Sequence, residues 1–408
     1  MVWYHKPMAK TLKLKRSVGL PLLTLYGLGN ILGAGVYVLI GEVAGIAGYA
    51  AILSFMVACV IAAFTAFSYM ELSSRYPKTA GVSIYLHQAF NIRLLSTLVG
   101  LMLVSSGIVS AATLARGCVG YVQQFIGAPD WLIITTVIVG LSIIALAGIA
   151  HSAKLAAFFT LVEIGGLILI VVGGSGHLDQ IQPVLQQAAA TNWLTPAILM
   201  GAFVAFYAFI GFEDMIEVVE EVKNPRRTMP KAILLCLAIS TALYLLVLIA
   251  SFLVLTPQQL ADSDAPLAAV FTAATGLSPL ILAAIALGAI INGILVQIIM
   301  GSRVLYGLAS QGWIHGSLSK VHKGVRTPVA ATVLVAIIIL ILALLFPLLK
   351  LAEFTSFLVL LVFAMVHASL LMVKRRGRLN KSHHVVPGYV PLIGLVLTTG
   401  MLVIVVLS

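Results

Sequence analysis

Five carboxylates crowd the end of an apolar stretch. Glu213, Asp214, Glu217, Glu220 and Glu221 lie in FYAFIGFEDMIEVVEEVKNPRRTMPK, residues 206–231, and are five of only 13 acids in the 408 residues. A charge held in lipid costs roughly 2.5 to 3.5 kcal/mol on insertion scales, so acids that begin inside an apolar segment point to a binding site or an ion pathway. Their spacing is close to helical, and a continuous helix would stack like charges unless they met water, protons or cations. The cluster therefore divides. Glu213 and Asp214 belong near a site, and Glu220 and Glu221 near the membrane interface, where Lys223, Arg226 and Arg227 are available as partners.

Gly211 sits at the start of this cluster within a run of aromatics. A helix break there would free the carbonyls of Tyr207, Ala208 and Ile210, while Phe206, Phe209 and Phe212 would serve as apolar walls, as gates or as plain packing. A second candidate break lies in GLGNILGAGVYVLIG, residues 27–41. Interruption near Gly33, Ala34 and Gly35 would expose backbone N–H groups at the start of a half-helix, suited to a carboxylate. Carbonyls left at the end of the preceding half, near Ile31, would suit an ammonium group or a cation. Together these groups match the backbone of an amino acid; the alternative is a small-residue packing face. Two further polar residues interrupt apolar segments. Glu163, in TLVEIGG, either carries a proton or hydrogen-bonds to a neighbouring helix, and Asn292 either reads a substrate side chain or joins helices.

The elements that must position these groups are membrane helices. Residues are 61% hydrophobic and 9% charged, with a mean hydropathy of +1.12, far from the composition of a soluble domain. A hydrocarbon core about 30 Å thick needs roughly 20 apolar residues per crossing. Eleven segments qualify, near 17–45, 48–69, 94–125, 131–150, 153–174, 196–219, 230–255, 278–309, 327–349, 351–373 and 388–408. With a cytoplasmic N-terminus, all of the 24 Lys and Arg except Arg116 and Lys350 fall inside. This is the positive-inside pattern, so the net charge of +11 is topological and implies no nucleic-acid partner. Residues 1–16 form a basic cytoplasmic tail, too polar for a cleavable signal. The longest connection, about 174–195, lies outside and reads as a loop.

The two glycine-interrupted segments are the first and the sixth. Interrupted helices at matching positions of two halves indicate an inverted repeat with a site at the bilayer midplane. The expected architecture is all-α and integral to the membrane, a 5+5 fold with repeats at 17–174 and 196–373 and an eleventh helix at 388–408. Cys59, Cys118 and Cys236 lack metal-ligand spacing, and no cofactor is implied. No GxxxxGK[ST] nucleotide motif is present. GGSGH, residues 173–177, contains the GxSG string of intramembrane serine proteases, and a nucleophilic Ser175 would need a base within hydrogen-bond reach.

Four motifs in order resemble the amino acid-polyamine-organocation superfamily of permeases. The first segment is similar to its GxGxxxGAGxYVLxG pattern. YMELSSRYPKTAG (69–81), AFIGFEDMIEVVEEVKNPRRTMPKAI (208–233) and INGILVQIIMGSRVLYGLASQGW (291–313) are similar to the ends of its second, sixth and eighth helices. The resemblance spans residues 17 to about 375. It implies alternating-access transport of amino acids by a secondary active permease. The substrate carboxylate would meet Gly33, Ala34 and Gly35, and its amino group the carbonyls of Ile31, Tyr207, Ala208 and Ile210. A side-chain pocket would involve Phe209, Phe212, Glu213 and Asn292. Three departures from the family stand out: Asn30 before the first break, an end after eleven helices where relatives have twelve, and Glu163 where proton-coupled relatives place a lysine. The family's lysine does not carry over to Glu163; the expected function is proton-coupled symport with Glu163, a buried carboxyl able to carry a proton, as the coupling residue, in a multi-pass cell-membrane protein with a cytoplasmic N-terminus. Exchange of amino acids or polyamines, another coupling ion and homo-oligomerisation stay open.

Overall fold

The computed structural model describes residues 16, 18–32, 35–77, 81–146, 153–190, 195–310, 312–321, 327–377 and 384–407, with the side chains of 153–156, Glu217 and Glu220 outside the description. Gly33 and Ala34 thus lie outside the described residues, as does the tail before Arg16.

The first apolar segment is covered by α1 (Leu20–Leu32) and α2 (Gly35–Ala47). There follow α3 (Ala51–Arg75), α4 (Gly81–Phe90), α5 (Arg93–Gln123), α6 (Asp130–Leu146), α7 (Ala153–Gly174), α8 (Ile181–Ala189) and α9 (Pro196–Phe206). The second half holds α10 (Pro225–Val254), α11 (Pro257–Ala261), α12 (Pro266–Thr275), α13 (Leu280–Ser310), α14 (Val329–Leu345), α15 (Leu348–Arg375) and α16 (Tyr389–Leu407). Among the described residues, each of the eleven expected apolar segments contains a helix. Several helices begin with proline in the first turn, where its missing N–H has no intrahelical role; Thr195 caps α9, and Thr256 and Gln259 form a reciprocal capping box at α11.

Two connections differ from expectation. Residues 175–189, read as loop, form a 3-10 turn (Ser175–Gln180) and the amphipathic α8. Val184 and Ala188, one turn apart, are buried against the Gly48–Ala50 turn and α10, and this burial stabilises a helix too short to persist alone. The stretch between α10 and α13 likewise carries α11 and α12.

Packing among the helices is symmetric under exchange of segment n with segment n+5. The second segment packs on the sixth as the seventh packs on the first (α3 with α9, α10 with α1). The third packs on the tenth as the eighth packs on the fifth (α5 with α15, α13 with α7), and equivalent helices meet directly, α3 with α10 and α5 with α13. This is the two-repeat fold expected from the hydropathy. Its basic ends also gather as expected. Arg93 donates to Gly312 O (3.2 Å) and lies over the Trp313 ring, and Ser74 donates to Arg226 O (3.1 Å). At the opposite end Arg116 approaches Asp130 (3.8 Å) and Phe346 O (3.3 Å), and Lys350 pairs with Glu353 (2.8 Å).

Candidate substrate site at the crossing of the first and sixth segments

The sixth segment unwinds where the sequence placed its glycine. The α-helix ends at Phe206, a 3-10 turn covers Tyr207–Phe209, Ile210 is extended (φ −70°, ψ 140°) and Gly211 takes φ +128°. A 3-10 stretch, Glu213–Glu221, then leads towards the basic end. Only glycine adopts this φ without strain. The reason for close approach is equally local: a Cβ at Gly211 would lie 2.6 Å from Asn30 O, and one at Gly35 would lie 2.7 Å from Ala208 Cα. The two segments thus cross backbone to backbone, on both sides of residues 33–34. Val18 ties them again at the basic end, where its N–H donates to Glu221 O (3.1 Å) and its carbonyl accepts from Lys223 N–H (2.8 Å).

A cavity opens beside this crossing. Asn30, Ile31 and Gly35 line it from the first segment, Tyr207, Ile210 and Asp214 from the sixth, Ser110 from α5, and Asn292 and Gln297 from α13. A second cavity shares Ser110, Ile210, Asp214 and Gln297 with the first, and runs towards Val82, Val304 and Glu213. Asp214 therefore sits at the junction of the two. Tyr207 and Ser110 hydroxyls are 2.9 Å apart, which fixes one wall.

The expected residues separate into groups. Ile31, Gly35, Tyr207, Ile210 and Asn292 line the first cavity together, and Glu213 the second. Ala208, Phe209 and Phe212 line neither. Phe209 packs on Phe55 and Tyr244, and Phe212 on Tyr69 and Phe363. These aromatics look towards α3, α10 and α15, because burial among other rings stabilises them more than exposure to a polar cavity. Of the expected side-chain pocket, Glu213 and Asn292 line the cavities and Phe209 and Phe212 do not; the cavities lie towards α5 and α13. Glu213 also supports the break itself, since its Oε2 accepts the Gly211 N–H (2.9 Å) and so satisfies a donor freed there. Two of the four carbonyls assigned to the amino group are engaged as well, with Tyr244 Oη 2.6 Å from Ile31 O and 2.8 Å from Ala208 O. Tyr207 O accepts the Ile210 N–H (3.2 Å). No ion pair joins Glu221 to Lys223, Arg226 or Arg227 among the described residues.

Glu163 lies outside both cavities, on α7 behind the first segment. Tyr37 Oη donates to its main-chain carbonyl (3.1 Å), and Tyr121 Oη donates to Tyr37 O (2.7 Å). The carboxyl group is buried, and neither oxygen has a hydrogen-bond partner among the described residues. The reading of Glu163 as a side-chain hydrogen bond to a neighbouring helix therefore has no counterpart here. Sequence reasoning passed over Gln297, Ser110 and Tyr244. Gln297 carried the same signal as Asn292, a polar side chain in an apolar segment; Ser110 is one of several serines in α5, and nothing marked Tyr244.

The GGSGH string is a helix exit. Ser175 Oγ donates to Val172 O (2.6 Å) at the exposed end of α7. Groups of acids, histidines and cysteines able to hold a metal are absent among the described residues.

An unwound sixth segment that crosses the first beside a cavity, within two exchanged repeats, fits a membrane transporter. A profile described as amino acid permease matches residues 19–408. The chain is 29% identical over 386 residues to the branched-chain amino acid permease BcaP of Bacillus subtilis, covering 89% of this chain and 82% of the relative. It is 31% identical over 390 residues to an uncharacterised transporter of Mycobacterium tuberculosis, covering 94% and 85%. It is 27% identical over 397 residues to the mitochondrial cationic amino acid transporter 3 of Arabidopsis thaliana, covering 91% of this chain and 63% of that longer protein. The chain belongs to the amino acid permease family, a multi-pass membrane transporter and not an enzyme.

Proposed function

We propose that this protein is a proton-coupled symporter that moves amino acids by alternating access, in a cell membrane and with its N-terminus cytoplasmic. The observation that carries the reading is the crossing itself: the first segment and the unwound sixth in backbone contact at Gly35–Ala208 and Gly211–Asn30, beside a cavity lined by Asn30, Asn292, Gln297 and Asp214. Residues 17–174 and 196–373 act as the two moving repeats. The substrate backbone lies at the break in the first segment, with Gly33, Ala34 and Gly35 taking its carboxylate. Its amino group meets Ile31, Tyr207, Ala208 and Ile210, and the polar groups of α13 meet its side chain.

Glu163 supports the proton reading because its buried carboxyl has no partner among the described residues, and an uncompensated carboxylate at such depth is costly. Protonation would therefore be coupled to the packing of α7 against α1. The test is uptake of labelled amino acids into proteoliposomes under an inward proton gradient, a sodium gradient or none. Proton-driven uptake in wild type, with the gradient's stimulation lost in Glu163→Gln, is the expected result. Uptake that ignores both gradients and needs internal amino acid makes the protein an exchanger and Glu163 structural.

Asp214 favours a second reading of the traffic. A carboxyl group at the junction of the two cavities suits a cationic side chain, and several relatives are named cationic amino acid transporters. Under this reading Asp214→Asn lowers arginine uptake about tenfold relative to leucine, the size of one charge-assisted contact. An unchanged arginine-to-leucine ratio removes it.

A further inference from the structure

Tyr244 projects from α10 into the crossing of the two interrupted segments, and no motif accounts for it. Its ring is fully buried and packs edge-on against Phe55 (6.1 Å between centroids) and Phe209 (5.4 Å), which aims the hydroxyl. Oη lies 2.6 Å from Ile31 O and 2.8 Å from Ala208 O, carbonyls from the two segments that cross here. Ala208 is the residue against which Gly35 packs, and Ile31 follows the residue against which Gly211 packs. The hydroxyl therefore joins the two backbones between their two points of contact.

A phenol carries one proton. It donates to one of these carbonyls at a time, and the other oxygen faces a lone pair at hydrogen-bond distance. Half-helix carbonyls of this kind hold cations or ammonium groups in transporters, because their partial negative charge has no intrahelical donor. Here a side chain of the protein supplies one donor where two are called for.

We infer that Tyr244 is a positioning residue for transport: its hydroxyl holds the interrupted segments in register, and a donor from the substrate completes the arrangement it leaves one proton short. The inference rests on the reading above, in which the substrate's ammonium group binds at these carbonyls. Loss of the hydroxyl leaves both carbonyls without the tie, so the segments lose the spacing the ammonium group needs. The effect falls on substrate affinity rather than on the rate of the loaded carrier.

The experiment compares wild type with Tyr244→Phe, which keeps the ring and its contacts with Phe55 and Phe209. Equilibrium binding of the protein amino acids, one by one, is measured on purified protein, and KM and Vmax for the best of them in proteoliposomes. The expected result is a KM and Kd at least tenfold higher with Vmax within about threefold. Equal Kd in both proteins overturns the inference, as does a Vmax loss at constant KM. If Tyr244→Phe is not monodisperse, 3-fluorotyrosine at position 244 keeps the hydroxyl and strengthens it as a donor. A shift in Kd of threefold or more then supports the role, and an unchanged Kd overturns it. Failure of wild type to bind any amino acid defeats instead the reading on which the inference rests.

Discussion

Gly211→Ala reduces amino acid uptake by roughly 10²-fold, the scale of loss when reacting or binding groups are displaced by about 1 Å. Two independent obstacles converge at this position. The backbone holds φ +128°, which costs an alanine on the order of 1–3 kcal/mol. The added methyl would also lie 2.6 Å from Asn30 O, 2.7 Å from Asn30 C and 3.1 Å from Ile31 N, all main-chain atoms of the partner segment. A side chain could rotate away from such a contact; a backbone must shift. The crossing opens, carrying with it Ile31 and the lining residue Asn30. Gly307→Ala is the control, since a methyl there meets nothing within 4 Å and lies in the interior of α13. Uptake per mole of monodisperse protein measures both. Wild-type uptake by Gly211→Ala contradicts the assigned crossing.

Glu71→Ala destabilises the protein by about 3–5 kcal/mol, the usual penalty for leaving buried charges without their partner. Glu71 is fully buried near the basic end of α3. Its Oε1 accepts from Arg75 Nε (2.8 Å), and its Oε2 accepts from Lys374 Nζ (2.8 Å) and the Val386 N–H (2.8 Å). Lys374 also donates to Val386 O (2.6 Å). One carboxylate thus fastens α3 to the end of α15 and to the connection that leads into α16. Removing it deprives Arg75, only 5% exposed, of this carboxylate and frees that connection. Thermal unfolding in detergent should fall well below wild type, with Glu71→Gln intermediate because an amide oxygen still accepts from Val386. A loss under about 1 kcal/mol, the range of a surface ion pair, contradicts this account.

The sequence shows its large features through chemistry that lipid makes costly. Apolar runs and the glycine at 211 each answer to a single strong constraint, and the helices and the break they announce are found where they were read. Asn292 and Glu163 stood out for the same reason, as polar groups in apolar helices. What stayed hidden depends on which way a side chain turns once the helix unwinds. Phe209 and Phe212 looked like pocket walls because they flank the break, yet the turn at Ile210–Gly211 directs them to Phe55, Tyr69 and Phe363. Glu71 was visible only as part of a motif, since its partners lie some 300 positions away at Lys374 and Val386. Tyr244 was invisible, because a tyrosine in an apolar segment carries no periodic signal and its role comes from two carbonyls on other segments.

The central claim, that an amino acid binds in the cavity beside the crossing, is tested most directly by protection of a cysteine placed there. Gln297 lines both cavities, whereas the native Cys59 is half-buried between α3 and α10, with its thiol 3.2 Å from Thr241 Oγ1. The rate of alkylation of Gln297→Cys by a permeant maleimide is measured for purified protein with and without each protein amino acid. The account predicts that the amino acids taken up by the wild type slow modification at position 297 in a saturable way and leave Cys59 unaffected. Equal rates at position 297 with and without a transported amino acid would contradict it.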